Sequence, residues 1–437
     1  MQTTKTSYRH TFIRELFPKL YSLRYGFLKY FYQHLDEIPA TSDIDLIVDK
    51  TELPHWRRMC GSSPYVDHVV FRQTSFALFC ELYFRDGSYL ELDLIYAFKW
   101  KGVVFMNIEE VLRAVRPNDH RVKVPPVTYS FAYIFLFFGL NKAEVPAKYQ
   151  FHFQSLPEAT QQEVQNWFVK RYLSGKKEVD VFDLRPCQKN LLQACKRLPE
   201  NKGIPGWKSS WYSRLDAVFP PAPLITFSGV DGAGKSTVLE HTRKLLEEKY
   251  RREVTVLRQR PGILPILSAL KYGAKEAEKR AAERLPRTGQ NNSFISSLMR
   301  FAYYYCDYQI GQWWVRIKYR RKNSVILYDR YYFDFMADGR RNNLKLPKWL
   351  LHAGFRFVTK PGLNFLLFAD PEVILARKQE LSESAIIELT QAYQEVFKKL
   401  DQAYPGNQYH CINNLHLEAT LNLIEKGYVN STRSTDS

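Results

Sequence analysis

The most informative run in the chain is Pro223-Leu224-Ile225-Thr226-Phe227-Ser228-Gly229-Val230-Asp231-Gly232-Ala233-Gly234-Lys235-Ser236-Thr237. Its apolar beginning predicts a buried strand, and its last residues, followed by Val238-Leu239-Glu240, predict a helix. The residues between them fit G-x-x-x-x-G-K-[ST], the pattern of a phosphate-binding loop. Because a strand before the loop and a helix after it are the context that this pattern requires, we predict a nucleoside triphosphate site here.

Each residue type in the loop has a physical role. The glycines allow backbone N–H groups to turn inward around phosphate oxygens, Lys235 reaches the β- and γ-phosphates, and the Ser236 hydroxyl can ligate Mg²⁺. The predicted nucleotide-binding residues are Gly229, Asp231, Gly232, Ala233, Gly234, Lys235, Ser236 and Thr237.

Length and composition limit the classes of protein that this chain can be. Its 437 residues predict two or three domains, and an apolar content of 45% is ample for packed cores. The first residues lack the apolar core of a signal peptide, and the strongest apolar run, residues 131–140, is too short to span a bilayer. The six cysteines form no C-x-x-C pair, which is typical of a reducing compartment. We therefore expect a cytoplasmic protein without a transmembrane segment.

The formal net charge of +18 indicates an acidic partner. Nucleotides, polyphosphates, nucleic acid and an anionic membrane all meet that description. No DNA- or RNA-binding motif is present, so we expect a small phosphorylated substrate rather than nucleic acid. A homodimer is a possible oligomeric state.

The N-terminal third carries a cluster of acids. Apolar residues at helical spacing across residues 12–31 indicate a helix, and residues 44–48 indicate a strand. Asp43 and Asp45 alternate with apolar residues and so point to one side of that strand. A third acid, Asp93, lies on another alternating strand, and Asp86-Gly87 predicts the hairpin turn before it. Neighbouring carboxylates repel each other unless a cation joins them, which makes these three acids candidate Mg²⁺ ligands.

Charged residues in the C-terminal half follow predicted strands. Arg258 and Arg260 end the strand at 253–257, where an α/β sheet binds ligands and a guanidinium can fork two phosphate oxygens. The strand at 325–328 leads to Asp329-Arg330, an acid that can organise Mg²⁺ and an arginine that can hold an acceptor phosphate. A helix over residues 301–319 presents Tyr304, which can stack on a base or belong to the core.

The acids resemble the metal-binding carboxylates of the polymerase-beta-like nucleotidyltransferase superfamily. That resemblance rests on Ser42-Asp43-Ile44-Asp45 and the later Asp93. It implies two Mg²⁺ ions and nucleotidyl transfer. The chain departs from the family in lacking a glycine between Gly26 and Gly61, where Lys29-Tyr30-Phe31 occupies the expected place of the Gly-Ser turn. Acids on the wet face of a surface strand, and a nucleotidyltransferase fold without catalysis, are the alternatives.

The second half is similar to thymidylate kinase and its nucleoside-monophosphate-kinase relatives. The matching pieces are the phosphate loop, Arg260-Pro261-Gly262, Asp329-Arg330-Tyr331, and Asp370-Pro371-Glu372 followed by Arg377. The resemblance implies that Asp231 contacts the acceptor, that Arg260 (or Arg258) and Arg330 hold its phosphate, and that Arg377 is a lid arginine. One departure concerns the base: where the family has a base-reading Arg, this chain has Asp307-Tyr308.

Together these patterns predict an α/β fold. We expect a P-loop kinase-type parallel sheet with helices on both faces, preceded by an α+β nucleotidyltransferase-like domain and a helical connector. The predicted boundaries are 1–120, 121–221 and 222–430, with a disordered tail at 431–437.

Three functions follow from these expectations. The leading one is an ATP- and Mg²⁺-dependent kinase that phosphorylates a small phosphorylated acceptor, with a dTMP-like nucleoside monophosphate favoured. Its predicted catalytic residues are Lys235, Asp329, Arg330 and Arg377, with Ser236 and Asp329 at the metal. The alternatives are a bifunctional kinase and nucleotidyltransferase acting on a sugar-phosphate or polysaccharide precursor, and an NTP-dependent binding module on nucleic acid or membrane.

Overall fold

The computed structural model describes residues 7–174, 179–202, 223–264, 293–320 and 324–433. The chain divides into two compact units, Met1–Ala217 and Val218–Thr435. The predicted domain boundary between residues 221 and 222 lies outside the described residues. Within the described part of the chain, no helix is both long and apolar enough to cross a membrane.

The N-terminal unit contains a five-stranded mixed sheet with the order β1-β2-β5-β4-β3. Its strands are β1 (Tyr25–Phe27), β2 (Ile44–Val48), β3 (Val66–Gln73), β4 (Ala77–Phe84) and β5 (Tyr89–Ile95). β2 and β5 run parallel, and the other neighbours are antiparallel. The predicted turn at Asp86-Gly87 joins β4 to β5, with Gly87 at φ +82°. One face of the sheet packs with α1 (Tyr8–Lys19) and α2 (Leu53–Gly61) into a continuous apolar core.

The helical spacing across residues 12–31 was only partly a sign of helix. α1 ends at Lys19, and Tyr25–Phe27 form β1 instead. The residues of β1 are buried and pair with β2, so sheet pairing outweighs the local periodicity.

Helices cover part of the other face of this sheet. The sheet is followed by the hairpin of β6 (Phe98–Trp100) and β7 (Val103–Met106), by α3 (Ile108–Ala114), and by the pair of β8 (Arg116–Pro117) and β9 (Lys123–Val124). The chain then forms four helices: α4 (Val127–Leu140), α5 (Ala147–Gln154), α6 (Glu158–Tyr172) and α7 (Gln188–Lys196). The apolar run at residues 131–140 is part of α4 and is mostly buried. These helices share one core with Ile47, Ala77 and Ile95 of the sheet.

The C-terminal unit is built on a five-stranded sheet with the order β11-β12-β10-β13-β14, in which every pair is parallel. Its strands are β10 (Leu224–Ser228), β11 (Glu253–Arg258), β12 (Ser324–Asp329), β13 (Leu363–Phe368) and β14 (Gln408–Asn413). Its helices are α8 (Lys235–Glu248), α9 (Phe294–Arg320), α10 (Phe333–Ala337), α11 (Lys348–Phe355), α12 (Pro371–Arg377), α13 (Glu383–Ala403) and α14 (Leu417–Arg433).

Helices lie on both faces of this sheet, as predicted. Ile326, Tyr328 and Leu366 face a core formed with residues of α9, α10, α11 and α13. On the opposite face, Phe365 lies against α14, which approaches closely at Gly427. The predicted disordered tail is wrong for residues 431–433, which continue α14.

Candidate functional site

The phosphate loop begins where β10 ends, at the carboxyl edge of the parallel sheet. Gly229, Gly232 and Gly234 have φ values of +138°, +89° and +83°, a region that side chains disfavour. A Cβ on Gly229 would lie 2.0 Å from the carbonyl oxygen of Leu367, and one on Gly234 would lie 2.5 Å from Asn414 Nδ2. The glycines are therefore needed both for the turn and for the close approach of β13 and β14.

Asn414 fixes the loop from the end of β14. Its Nδ2 donates to the carbonyl of Ala233 at 2.8 Å, and its Oδ1 accepts from the Thr420 hydroxyl at 2.9 Å. Sequence reasoning missed this residue, because its role depends on β14 lying beside β13 in the finished sheet.

Lys235 lies buried at the base of the loop. Its Nζ donates to the carbonyl of Val230 at 2.7 Å. Burial, and next the neighbouring Arg330, lower the pKa of Lys235 from 10.5 to about 7, against the opposing effect of Asp231. Ser236 and Thr237 are exposed at the start of α8. A buried lysine beside exposed hydroxyls, after glycines with positive φ, fits a triphosphate with its Mg²⁺.

Asp231 lies between two arginines. Its Oδ1 accepts from Arg330 Nη2 at 2.5 Å, and its Oδ2 forms a very short ion pair with Arg341. Arg330 is held in turn by Asp334, at 2.9 Å from Nη1, and its backbone has φ +73°, rare outside glycine. Burial lowers the pKa of Arg330, but Asp334, Tyr393 and Asp231 outweigh that effect and raise it, so the guanidinium stays charged.

Two members of this network were not predicted. Arg341 follows α10 in a turn, and the sequence between Asp338 and Asn343 contains no pattern that ties it to the phosphate loop. Asp334 is fully buried, and its Oδ1 has no hydrogen-bond partner. Burial raises the pKa of Asp334, and Arg330 opposes that rise.

Asp307 holds Arg260, which lies two residues beyond the end of β11. Its carboxylate accepts from Arg260 Nη1 at 2.9 Å and from the backbone N–H groups of Gly262, Ile263 and Leu264 at 2.9–3.1 Å. The Arg260 guanidinium lies 4.8 Å from the centre of the Tyr304 ring. The fully buried Asp307 therefore holds the loop that presents Arg260, and it is not placed to read a base.

The remaining predicted kinase residues occupy different positions around the loop. Asp329 ends β12 and lies beside β10, with Oδ2 3.7 Å from Arg258 Nε. The Arg258 side chain is 89% exposed, so of the two candidates Arg260 is the arginine held in place. Arg377, at the end of α12, has Nη1 3.5 Å from where a Cβ on Gly234 would lie.

The three N-terminal acids also come together. Asp45 on β2 is the register partner of Asp93 on the parallel strand β5. Asp43, Asp45 and Asp93 each offer a carboxylate oxygen within 4.8 Å of the others, so they could hold a metal ion. Asp93 Oδ1 is buried without a hydrogen-bond partner. Burial, and next the repulsion of Glu91, Asp45 and Asp43, raise the pKa of Asp93 well above its usual value.

Lys29 supplies a protein cation to this cluster. Its ammonium forms a very short ion pair with Asp45 and lies 6.0 Å from the ring centres of Tyr133 and Tyr149. Burial lowers the pKa of Lys29, but Asp45, Tyr133, Tyr149 and Asp43 together outweigh burial and raise the pKa above its usual value. Lys29 occupies the place where the sequence lacks the expected glycine turn, and its backbone has φ +59°.

The parallel sheet with the phosphate loop at its carboxyl edge defines the C-terminal unit as a P-loop α/β nucleotide-binding fold. Comparison with known families narrows the class of protein further: residues 227–424 match the family model for thymidylate kinase. This match supports a P-loop phosphotransferase in this part of the chain.

A crystal structure of thymidylate kinase from Ehrlichia chaffeensis is also similar, with 16% identity and a TM-score of 0.32 over 49% of this chain and 99% of that one. No curated protein matches the chain.

Proposed function

We propose that the C-terminal unit is an ATP-dependent kinase that transfers the γ-phosphoryl group to a small phosphorylated acceptor, with a nucleoside monophosphate as the favoured class. The observation that supports this proposal is the pair of arginines, Arg330 and Arg341, that contact Asp231 of the phosphate loop. A loop that binds ATP alone does not require two guanidinium groups held beside it. A second anionic molecule does require them, since each guanidinium group can donate to two phosphate oxygens.

The chemistry would consist of positioning and charge neutralisation. Lys235 and the loop amides would hold the ATP phosphates. Ser236 with Asp329 would hold Mg²⁺, which would supply charge neutralisation at the phosphates. Arg260 and Arg330 orient the acceptor so that its phosphate oxygen attacks the γ-phosphorus. The bond to the bridging oxygen breaks, ADP leaves, and Arg377 stabilises the charge on the group in transfer.

The test is ATP consumption by the full chain with a panel of nucleoside monophosphates, including dTMP, and sugar phosphates. The expected result is turnover with one acceptor class, lost in Lys235→Ala and retained in Lys244→Ala, an exposed lysine on the same helix. Turnover in Lys235→Ala equal to that of the wild type would refute the proposal.

A second function is proposed for the N-terminal unit because Asp43, Asp45 and Asp93 converge and Asp93 has a buried oxygen without a partner. We propose that this cluster binds a divalent cation and supports nucleotidyl transfer. Carboxylates are the ligands that Mg²⁺ and Mn²⁺ prefer. Lys29 already offsets part of the negative charge, so the affinity should be modest.

Metal binding can be measured without any assay of activity. Titration of the full chain with Mn²⁺, followed by electron paramagnetic resonance, should detect a site that Asp93→Asn weakens. Asp86→Asn, which alters an acid in the exposed turn between β4 and β5, should leave that site unchanged. If both variants bind Mn²⁺ like the wild type, the cluster is not a metal site.

A further inference from the structure

One lysine already occupies part of the acid cluster in the N-terminal unit. Lys29 forms a very short ion pair with Oδ2 of Asp45, and only 17% of the lysine side chain and 9% of the aspartate side chain are exposed. The ammonium also lies 6.0 Å from the ring centres of Tyr133 and Tyr149. Most lysines keep their charge in water, whereas this one is placed between a carboxylate and two aromatic rings. Lys29 is therefore a fixed component of the cluster.

The backbone on both sides of Lys29 holds the ammonium at this position. On one side, the N–H of Leu28 donates to the carbonyl of Asp45 at 2.9 Å, and the Leu28 side chain is fully buried. On the other side, the Phe31 ring stacks on His152 of α5, with 4.7 Å between the ring centres. A segment that is packed at both ends thus presents Lys29 to the acids.

Asp45 is the acid that neighbours both of the others. Asp43 lies two residues before it, and Asp93 is its register partner on β5. Two divalent ions in one site lie about 3.5–4 Å apart, so a carboxylate between them has to bridge both ions with its two oxygens. Because Oδ2 of Asp45 is paired with Lys29, a second divalent ion could use that oxygen only by displacing the ammonium.

The balance of charge leads to the same number of ions. Three ionised carboxylates carry three negative charges, and one divalent ion together with one ammonium supplies three positive charges. A second divalent ion beside Lys29 would leave two excess positive charges in a partly buried site, where like charges repel strongly. Asp93 Oδ1 is available to the first ion, because it is buried and makes no hydrogen bond within the described part of the chain.

We propose that Lys29 takes the place of a second divalent cation, so that Asp43, Asp45 and Asp93 bind one Mg²⁺ or Mn²⁺ ion and not two. This inference rests on the metal site proposed above for the N-terminal unit, and it adds the number of ions. It differs from the two Mg²⁺ ions that the resemblance to nucleotidyltransferases implies. Lys29 is then a positioning residue, whose fixed charge lies where the second ion would otherwise bind.

The test counts the Mn²⁺ ions that the full chain binds without nucleotide, by electron paramagnetic resonance. Ions bound elsewhere in the chain are counted in matching Asp93→Asn variants and subtracted. We expect one ion in the wild type, with the spectrum of an isolated Mn²⁺. Lys29→Gly removes the ammonium and suits the backbone, which has φ +59° at this position. In that variant we expect two ions, with the exchange-coupled spectrum of close neighbours.

Two further variants serve as controls. Lys29→Arg keeps the positive charge and should keep the count at one ion. Lys101→Gly also replaces a lysine of positive φ, +46°, but Lys101 is exposed in the turn between β6 and β7, so the count should stay at one. Equal thermal unfolding of the variants shows that a changed count does not come from misfolding.

Several results would overturn the inference. Two coupled ions in the wild type would mean that Lys29 leaves room for both, and a single ion in Lys29→Gly would mean that the ammonium does not exclude the second. A second ion in Lys101→Gly would assign the change to the backbone and not to the charge. In these three cases the proposed metal site itself stands. If the wild type binds no more Mn²⁺ than Asp93→Asn, the metal site and the inference both fail.

Discussion

At the scale of single residues, the carboxylate of Asp231 holds two arginines of the candidate kinase site in place in the absence of substrates. Two guanidinium groups, those of Arg330 and Arg341, converge on it. A carboxylate in this position occupies the same donors that an incoming phosphate would use. In the proposed reaction, the acceptor would therefore compete with Asp231 for the arginines or share them with it.

Replacing Arg341 tests this sharing. Arg341→Ala should raise the KM for the acceptor about tenfold or more and leave the KM for ATP nearly unchanged, because a hydrogen bond to a charged group is worth about 1.5–3 kcal/mol. Steady-state kinetics with each substrate varied in turn separates the two constants. Arg340→Ala, an exposed neighbour, is the control. An equal rise in both KM values would mean that Arg341 only supports the loop.

Lys235 should couple nucleotide binding to protons. Its pKa is lowered to about 7 by burial and by Arg330, so at pH 8 much of it is neutral in the ligand-free protein. Bound phosphates favour the charged form and raise the pKa, so ATP binding should take up close to one proton. Calorimetry in buffers of different ionisation enthalpy measures this uptake. Lys235→Arg, which stays charged, should bind ATP without it; equal uptake in that variant would assign the proton to another group.

At the scale of elements, the phosphate loop depends on how closely β13 passes behind it. Gly229 has no room for a side chain, since a Cβ there would meet the carbonyl oxygen of Leu367 at 2.0 Å. That oxygen belongs to a central strand and cannot move without disturbing the sheet. The phosphate loop and β13 are therefore packed so closely that neither can shift without the other.

Gly229→Ala should therefore lower the free energy of unfolding by about 1–3 kcal/mol, the usual cost of overpacking. Nucleotide affinity should fall with it, because the loop must shift. Gly362→Ala is the control in the same unit, since a Cβ there meets nothing within 4 Å. Chemical denaturation measures the stability, and equal unfolding midpoints for the two variants would contradict the close-packing account.

At the scale of the whole molecule, the chain carries two candidate sites in two compact units. Each unit has its own sheet and its own apolar cores. The acids of the first site lie on β2 and β5, and the phosphate loop follows β10. We therefore expect the two activities to be separable by mutation.

Two substitutions in the full chain test that separation. Asp93→Asn should weaken Mn²⁺ binding and leave phosphoryl transfer within about twofold of the wild type, while Lys235→Ala should abolish transfer and leave Mn²⁺ binding at the acids intact. Both readouts are taken on the same preparations. Loss of both activities in either variant would show that the sites are coupled.

The phosphate loop and the strands of the C-terminal sheet could be predicted from the sequence because their signals are local. The spacing of glycines and lysine in the loop, and the short apolar runs before Asp329 and Asp370, are set by the conformation of neighbouring residues. Asp45 and Asp93 were both expected on strands, as candidate metal ligands, because they alternate with apolar residues. Their register pairing was not predicted, because it depends on which strands become neighbours.

The partners of these residues required the tertiary structure. Arg341 reaches Asp231 across 110 positions of sequence, and Asn414 reaches Ala233 across 181. Such contacts depend on which strands become neighbours, and no local pattern encodes that order. Lys29 was noted in the sequence only as the place of a missing glycine, and its role as the cation beside Asp45 appears only in the tertiary structure. Likewise, α1 ends at Lys19, and residues 25–27 form a strand because they pair with β2.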